Sequence, residues 1–159
     1  MNRPLTRRLD RDYMIVTRIS SLVTHAIFYA LIAGYTALAG AKDWTFIPAW
    51  IALGVVTASA LLFTWLLPAW KYRSFFYELF EEELEIQSGF IFRKNVLVPM
   101  VRVQHVELEN GPLMRKYKLT SVQVVTAATT HRISGLKQSV AAELKHQISL
   151  LAKVEDQDE

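Results

Sequence analysis

The chain contains no cysteine, and across Lys71–Val154 it contains no aspartate. The first absence excludes disulfides, thiolate metal sites and cysteine nucleophiles, and agrees with a reducing cytoplasmic compartment. The second removes the usual third member of a Ser-His-Asp triad, and no Ser-His-Glu grouping follows a recognisable elbow. His105, His131 and His146 stand on separate elements, without the short spacing of a metal site. Gly89 and Gly111 are isolated, so no glycine-rich loop cradles a phosphate. The chain therefore reads as a non-enzyme with no cofactor and no small-molecule substrate.

A third absence sets the class of protein. Ile19–Ala41 and Trp44–Trp70, 23 and 27 residues long, carry no Asp, Glu, Lys or Arg and are separated only by Lys42-Asp43. As helices they would extend about 34 and 40 Å, enough to cross a hydrocarbon core about 30 Å thick. Lys42 and Asp43 would each cost about 2.5–3.5 kcal/mol at mid-membrane, which places them in a surface turn between two spans. A cleavable signal peptide fits poorly, because the apolar run is too long and a second follows directly.

Orientation follows from the cations beside the spans. Arg3, Arg7, Arg8, Arg11 and Arg18 precede the first and Lys71 and Arg73 follow the second, against Lys42 alone in the turn. The positive-inside rule puts both termini in the cytoplasm. The arm 1–18 has five Arg against two Asp and accounts for the net charge of +3. It reads as a topology signal, not a nucleic-acid surface. Within the spans, small residues recur at Ala26, Ala30 and Gly34 and at Gly54 and Ala58. Such ridges let helix backbones approach. They are expected to pack the hairpin against itself, with oligomerisation the other reading. Thr57, Ser59 and Thr64 can hydrogen-bond across the hairpin or to their own carbonyls, and His25 is placed near the cytoplasmic end as a neutral imidazole.

The remainder, 71–154 with an acidic tail 155–159, is long enough for one small domain. Strands are predicted over Ser74–Phe80, Leu84–Phe92, Val96–Glu109, Leu119–Thr126 and His131–Leu136. Glu81-Glu82-Glu83, Arg93-Lys94-Asn95, Asn110-Gly111-Pro112 and Ala127–Thr130 separate them. Gly89 marks a bulge or tight bend, and a face change near Gln104-His105 predicts a second bulge. The period then becomes helical: Ser139 can cap a helix, and Val140, Leu144, Ile148 and Leu151 form one apolar stripe. The fold class is thus a two-helix transmembrane hairpin plus a mainly-β domain on the pleckstrin-homology (PH) plan. That plan is a bent antiparallel sheet or open barrel with one C-terminal α-helix.

The two spans followed by Leu84-x-Ile86-x-x-Gly89, Val98-Pro99-x-x-Arg102-Val103-Gln104-x-Val106, Gly111-Pro112-Leu113-x-Arg115 and Val122-x-Val124-x-Thr126-Ala127 resemble the bacterial PH family of membrane proteins, the small YdbS-like two-span proteins. The resemblance covers nearly the whole chain. It implies a PH-like fold, the bacterial inner membrane, no cofactor and no established activity. One departure is Lys118, where members commonly carry glycine, so a left-handed turn there would be absent or strained. Gly89, Pro99, Arg102, Gln104 and Gly111 are the structural motif positions. Arg102 and Gln104 are expected to make structural hydrogen bonds at the bulge.

Phosphoinositide recognition is excluded, because the loop that would hold phosphates is Glu81-Glu82-Glu83. A local excess of cations nevertheless remains between Ile86 and Gln138, where Arg93, Lys94, Arg115, Lys116 and Lys118 are the candidate contacts. The partners expected are the lipid bilayer and another membrane protein, such as a multi-domain bacterial PH protein, or a second copy of the chain. The domain would act as an assembly platform in an envelope-related complex, with organisation of anionic inner-leaflet lipid as the alternative. Nucleic acid is not expected.

Overall fold

A computed structural model of the chain describes residues 5–89 and 92–155. The chain forms two compact units, Thr17–Ala69 and a discontinuous one of Met1–Val16 with Trp70–Glu159. Two long apolar helices make the hairpin. The first, α1 (Asp12–Ala41), starts before the predicted Ile19, because Asp10 Oδ1 accepts from the Asp12 N–H at 2.9 Å and caps it. Asp43, with φ +53°, turns the chain. The second helix begins at Ile47, after Trp44, with Pro48 in its first turn, where a missing N–H costs nothing. It comprises α2 (Ile47–Leu61), a π-helical turn (Leu62–Leu66) and α3 (Leu67–Ser74). Pro68 explains the π turn: it has no N–H for the carbonyl four residues back, and the Leu67 N–H reaches Leu62 O instead.

Within each candidate span only 6% of the 18-residue window is buried, whereas a soluble core helix would be mostly covered. Between Thr17 and Ala69 the buried residues are His25, Ala39, Ala49, Thr64 and Pro68, with no large apolar side chain among them. Tyr29 Oη and Thr57 Oγ1 meet across the hairpin at 3.0 Å, as do Ser21 Oγ and Thr64 Oγ1 at the same distance. Ala26, Ala30, Gly34, Gly54 and Ala58 are all exposed, and nothing lies within 4 Å of a Cβ built on Gly34 or Gly54. This corrects the expectation that the ridges pack the hairpin against itself; the seam is made by hydroxyls and one imidazole instead.

The β-rich unit holds two antiparallel sheets, β1–β2–β3–β4 and β5–β6–β7. The strands are β1 (Arg7–Arg8), β2 (Phe76–Leu79), β3 (Glu83–Ser88), β4 (Lys94–Pro99), β5 (Val103–Glu109), β6 (Leu119–Thr126) and β7 (Thr130–Lys137). Hence the first strand comes from the arm that precedes the hairpin: Arg7 pairs with Tyr77 and Arg8 with Phe76. The hairpin is an insertion between the first two strands of the domain. The arm is held further by the Asp10 N–H donating to Gly135 O at 2.9 Å and by Lys137 Nζ, 3.7 Å from Asp10 Oδ2. Gly135, at φ +73°, is indispensable here, since a Cβ on it would lie 2.2 Å from the Tyr13 ring.

Several predicted boundaries move. Leu84–Phe92 ends at Ser88, and Ser88 pairs with Lys94, so Lys94 and Asn95 belong to β4. Gly89 makes the bend at φ +103°, while Phe90 and Ile91 of that predicted strand lie outside the described residues. The single strand Val96–Glu109 is two strands in different sheets, broken by a 3-10 turn at Met100–Arg102 whose Pro99 cap cannot donate to a ladder. The predicted bulge is present between Val103 and His105. Gly111-Pro112 opens a short helix, α4 (Pro112–Lys116), with proline at its first position.

The terminal helix α5 (Gln138–Glu155) starts one residue before Ser139. It buries Ala141, Leu144 and Ile148 on the sheets while Val140 faces out, so the stripe is displaced by one position at its start. The core joins these residues to Leu9, Tyr77, Leu84, Met100, Val122 and Ile133, from both sides of the hairpin insertion. Burying a Leu or Ile contributes about 1.5–3 kcal/mol each. Asp156–Glu159 of the acidic tail lie outside the described residues.

Candidate binding cleft

The quoted motif halves, Pro99-x-x-Arg102-Val103-Gln104 and Val124-x-Thr126-Ala127, lie far apart in sequence but meet in space. An open cleft of about 520 Å³ is lined by Leu97–Pro99 and Val101–Gln104 of the β4–β5 corner, by Thr126–Thr129, and by His131. That size falls within the range of about 300–1,000 Å³ common for ligand sites. The pairing that creates it is Val103 with Thr126, which brings the start of β5 beside the β6–β7 turn. The turn itself is tied by Thr126 Oγ1 donating to Thr129 O at 2.8 Å and by the Thr129 N–H donating back to Thr126 Oγ1 at 3.1 Å.

Among the described residues no acid lines this cleft. Arg102 and Gln104 are both exposed, and neither side chain makes a hydrogen bond or ion pair with the described residues. The structural hydrogen bonds expected of them at the bulge are therefore not made: a 3-10 turn and the β5–β6 pairing shape that corner through the backbone. Val101, 60% exposed, and Leu97 present apolar surface to the same cleft. Burial lowers the pKa of His131 below its usual 6.5, and the charge of Lys94 lowers it further. Both effects disfavour the imidazolium, and Arg102 supplies a permanent positive charge to the lining.

The other predicted contacts are distributed differently. Arg93 precedes β4 and Lys94 begins it, both exposed. Arg115 and Lys116 end α4, and Lys118 follows in the turn before β6, in the other sheet. None of the five makes an ion pair with the described residues, and none lines the cleft. Lys118 adopts φ +53°, so the left-handed turn is present, in a conformation costing a non-glycine residue about 1–2 kcal/mol. By contrast Arg132 pairs with Glu109 at 3.2 Å and Arg7 with Glu78 at 3.4 Å. Pro99 caps the 3-10 turn, and Gly111, at φ −79°, precedes α4. Gly135 and Tyr13 were missed in the sequence, where a lone glycine in a strand-like run and an aromatic before a span give no sign of each other.

The family profile described as Bacterial PH domain matches residues 22–152, across both the hairpin and the sheets. The chain belongs to the bacterial PH-domain family. It is 35% identical over 154 residues, 95% of each chain, to a protein of Bacillus subtilis (strain 168) named UPF0699 transmembrane protein YdbS. No solved structure matches it. As a bacterial PH-domain protein it carries the sheets and C-terminal helix of that fold with a transmembrane hairpin set between its first two strands. Among the described residues no three His, Cys, Asp or Glu side chains gather where a metal could sit.

Proposed function

We propose that this bacterial PH-domain protein is a non-catalytic assembly module of the inner membrane, with both termini cytoplasmic, that holds a partner membrane protein. The observation that carries the reading is the outward position of the small-residue ridges, Ala26-Ala30-Gly34 and Gly54-Ala58. In lipid, helices associate through close backbone packing and not through hydrophobic exclusion, so small residues concentrate where helices meet. Here the hairpin's own seam uses Ser21, His25, Ser59 and Thr64, and the ridges remain available to a further helix. Replacing Gly34 and Gly54 by leucine fills that surface without touching the seam. The expected result is loss of the co-purifying membrane protein after crosslinking in native membranes. Unchanged co-purification, or a lone monomer in the wild type, refutes the reading.

A second reading, organisation of anionic lipid, is favoured by the side chains of Arg93, Lys94, Arg115, Lys116 and Lys118, which make no ion pair among the described residues. A cation near an anionic leaflet gains up to about 1 kcal/mol. Its test must use the full chain, because a fragment starting at Lys71 lacks β1. Hydrogen exchange of the domain in nanodiscs with and without phosphatidylglycerol should differ in the wild type. It should not differ after charge reversal at Arg115, Lys116 and Lys118; an equal response in both ends the lipid reading.

A further inference from the structure

We infer that the cleft between the β4–β5 corner and the β6–β7 turn receives an extended acidic peptide segment, with Arg102 taking its carboxylate. The inference deepens the assembly reading and rests on it only for the source of the segment, a partner membrane protein. Three features of the cleft lead to this ligand.

The lining's permanent charge is that of Arg102. Among the described residues Arg102 has no partner and no acid lines the cleft, and burial of His131 disfavours its charged form. A guanidinium presents a planar fork that matches one carboxylate with two parallel hydrogen bonds. The remaining polar groups suit a peptide. Gln104 offers an amide that both donates and accepts, and Thr129 a hydroxyl that does the same. Leu97, Val101 and Val103 supply apolar surface for the side chains of an extended chain.

The backbone is also open to a strand. β4 is the edge of the first sheet and β5 an edge of the second, so each is paired on one side only. Edge strands carry unpaired N–H and C=O groups along their free side, which an incoming strand can use. A polyanionic head group would instead favour clustered cations. The densest cluster, Arg115, Lys116 and Lys118, is outside the lining.

The test uses the full-length protein in phosphatidylcholine nanodiscs, presented with a library of random octapeptides. Selected peptides should be enriched in Asp or Glu, and Arg102→Gln should lower their capture at least tenfold. Arg102→Lys should restore it in part, and Arg115→Glu should leave it unchanged. Arg102 is exposed, so these variants keep the wild-type melting temperature. Peptides without acids, or capture unaffected by Arg102→Gln, overturn the inference. It also fails if phosphatidylglycerol displaces the peptides, which marks a head-group site, or if capture requires deletion of 155–159, which makes the chain's own acidic tail the occupant. Loss of peptide selection with the co-purifying partner retained leaves the assembly reading standing. The reverse outcome separates the two in the other direction.

Discussion

The hairpin and the β-rich unit solve opposite problems with one sequence. In the sheets and α5, the fully covered side chains are large and apolar, among them Tyr77, Leu84, Met100, Leu144 and Ile148. In the hairpin the covered residues are His25, Thr64, Ala39, Ala49 and Pro68, while Leu31, Trp50, Ile51 and Val55 face out. The difference is one of solvent. Water drives apolar area inward at about 25 cal/mol per Å². Lipid gives no such drive, and leaves van der Waals packing and hydrogen bonds to hold two helices together. Burial therefore signals hydrophobic stabilisation in the sheets and polar clasping in the hairpin.

The sharpest way to break the contrast is the same truncation in both units. Leu144→Ala should cost the β-rich unit about 2–5 kcal/mol, whereas Leu31→Ala, on an outward face of the hairpin, should change stability by less than about 0.5 kcal/mol. Thermal unfolding in detergent, followed by tryptophan fluorescence and circular dichroism, compares the two, and equal losses would remove the distinction. Gly135→Ala comes next, at about 3 kcal/mol, from a positive φ and from collision with the Tyr13 ring. Its signature is local, because hydrogen exchange should rise first in the arm, at Arg8 and Asp10.

The hairpin's clasp is weaker. His25 Nδ1 lies 2.7 Å from Ser21 O and Nε2 lies 3.1 Å from Ser59 Oγ. His25→Leu should therefore weaken helix–helix association by about 0.6–1.7 kcal/mol, readable as a lowered steric-trapping midpoint. A gain in hairpin stability from the added apolar side chain would mean that lipid-phase packing follows the aqueous rule after all. Lys118→Gly should raise the melting temperature of the β-rich unit by relieving about 1 kcal/mol of backbone strain.

The smallest effect is in pH. Partial burial raises the pKa of Glu78, but the Thr6 hydroxyl and N–H, with Arg7, outweigh it and leave it below the usual 4.5. A carboxylate depressed by folding contributes stability that is complete above the unfolded value and lost as pH falls through the folded one. Pairing of β1 with β2 should thus loosen below about pH 4.5, and Glu78→Gln should flatten that dependence in exchange rates at Arg7 and Arg8. His131 has the same sign in a higher window. Its folded pKa lies below 6.5, so its contribution is full above that value and falls away as pH drops past it.

The sequence carries whatever depends on local pattern. The two uncharged runs, the alternation of Leu84 and Ile86, the bulge near Gln104-His105 and the period of Leu144, Ile148 and Leu151 each arise from neighbours within a few residues. Those neighbours determined the spans, most strands and the terminal helix. Local pattern also misled where an element is defined by its partner. Arg93-Lys94-Asn95 looks like a turn because it is polar, yet Ser88 recruits Lys94 into a ladder. Val140 has the right period, but Ala141 is the residue the sheets cover.

Tertiary structure alone decided three things. It took Arg7 and Arg8, charges that mark orientation in the sequence, and made them the first strand of the domain. It turned the small-residue ridges outward, because hydroxyls and His25 formed the seam. It carried Arg102 and Gln104 to the β6–β7 turn without giving them partners among the described residues, so that a motif of structural appearance lines a cleft. Each depends on contacts between segments distant along the chain, and no local energy term records which distant segment will be there. Sequence by itself determined that the chain crosses lipid and carries a β-rich domain; the pairing of remote segments determined which surfaces are left to bind.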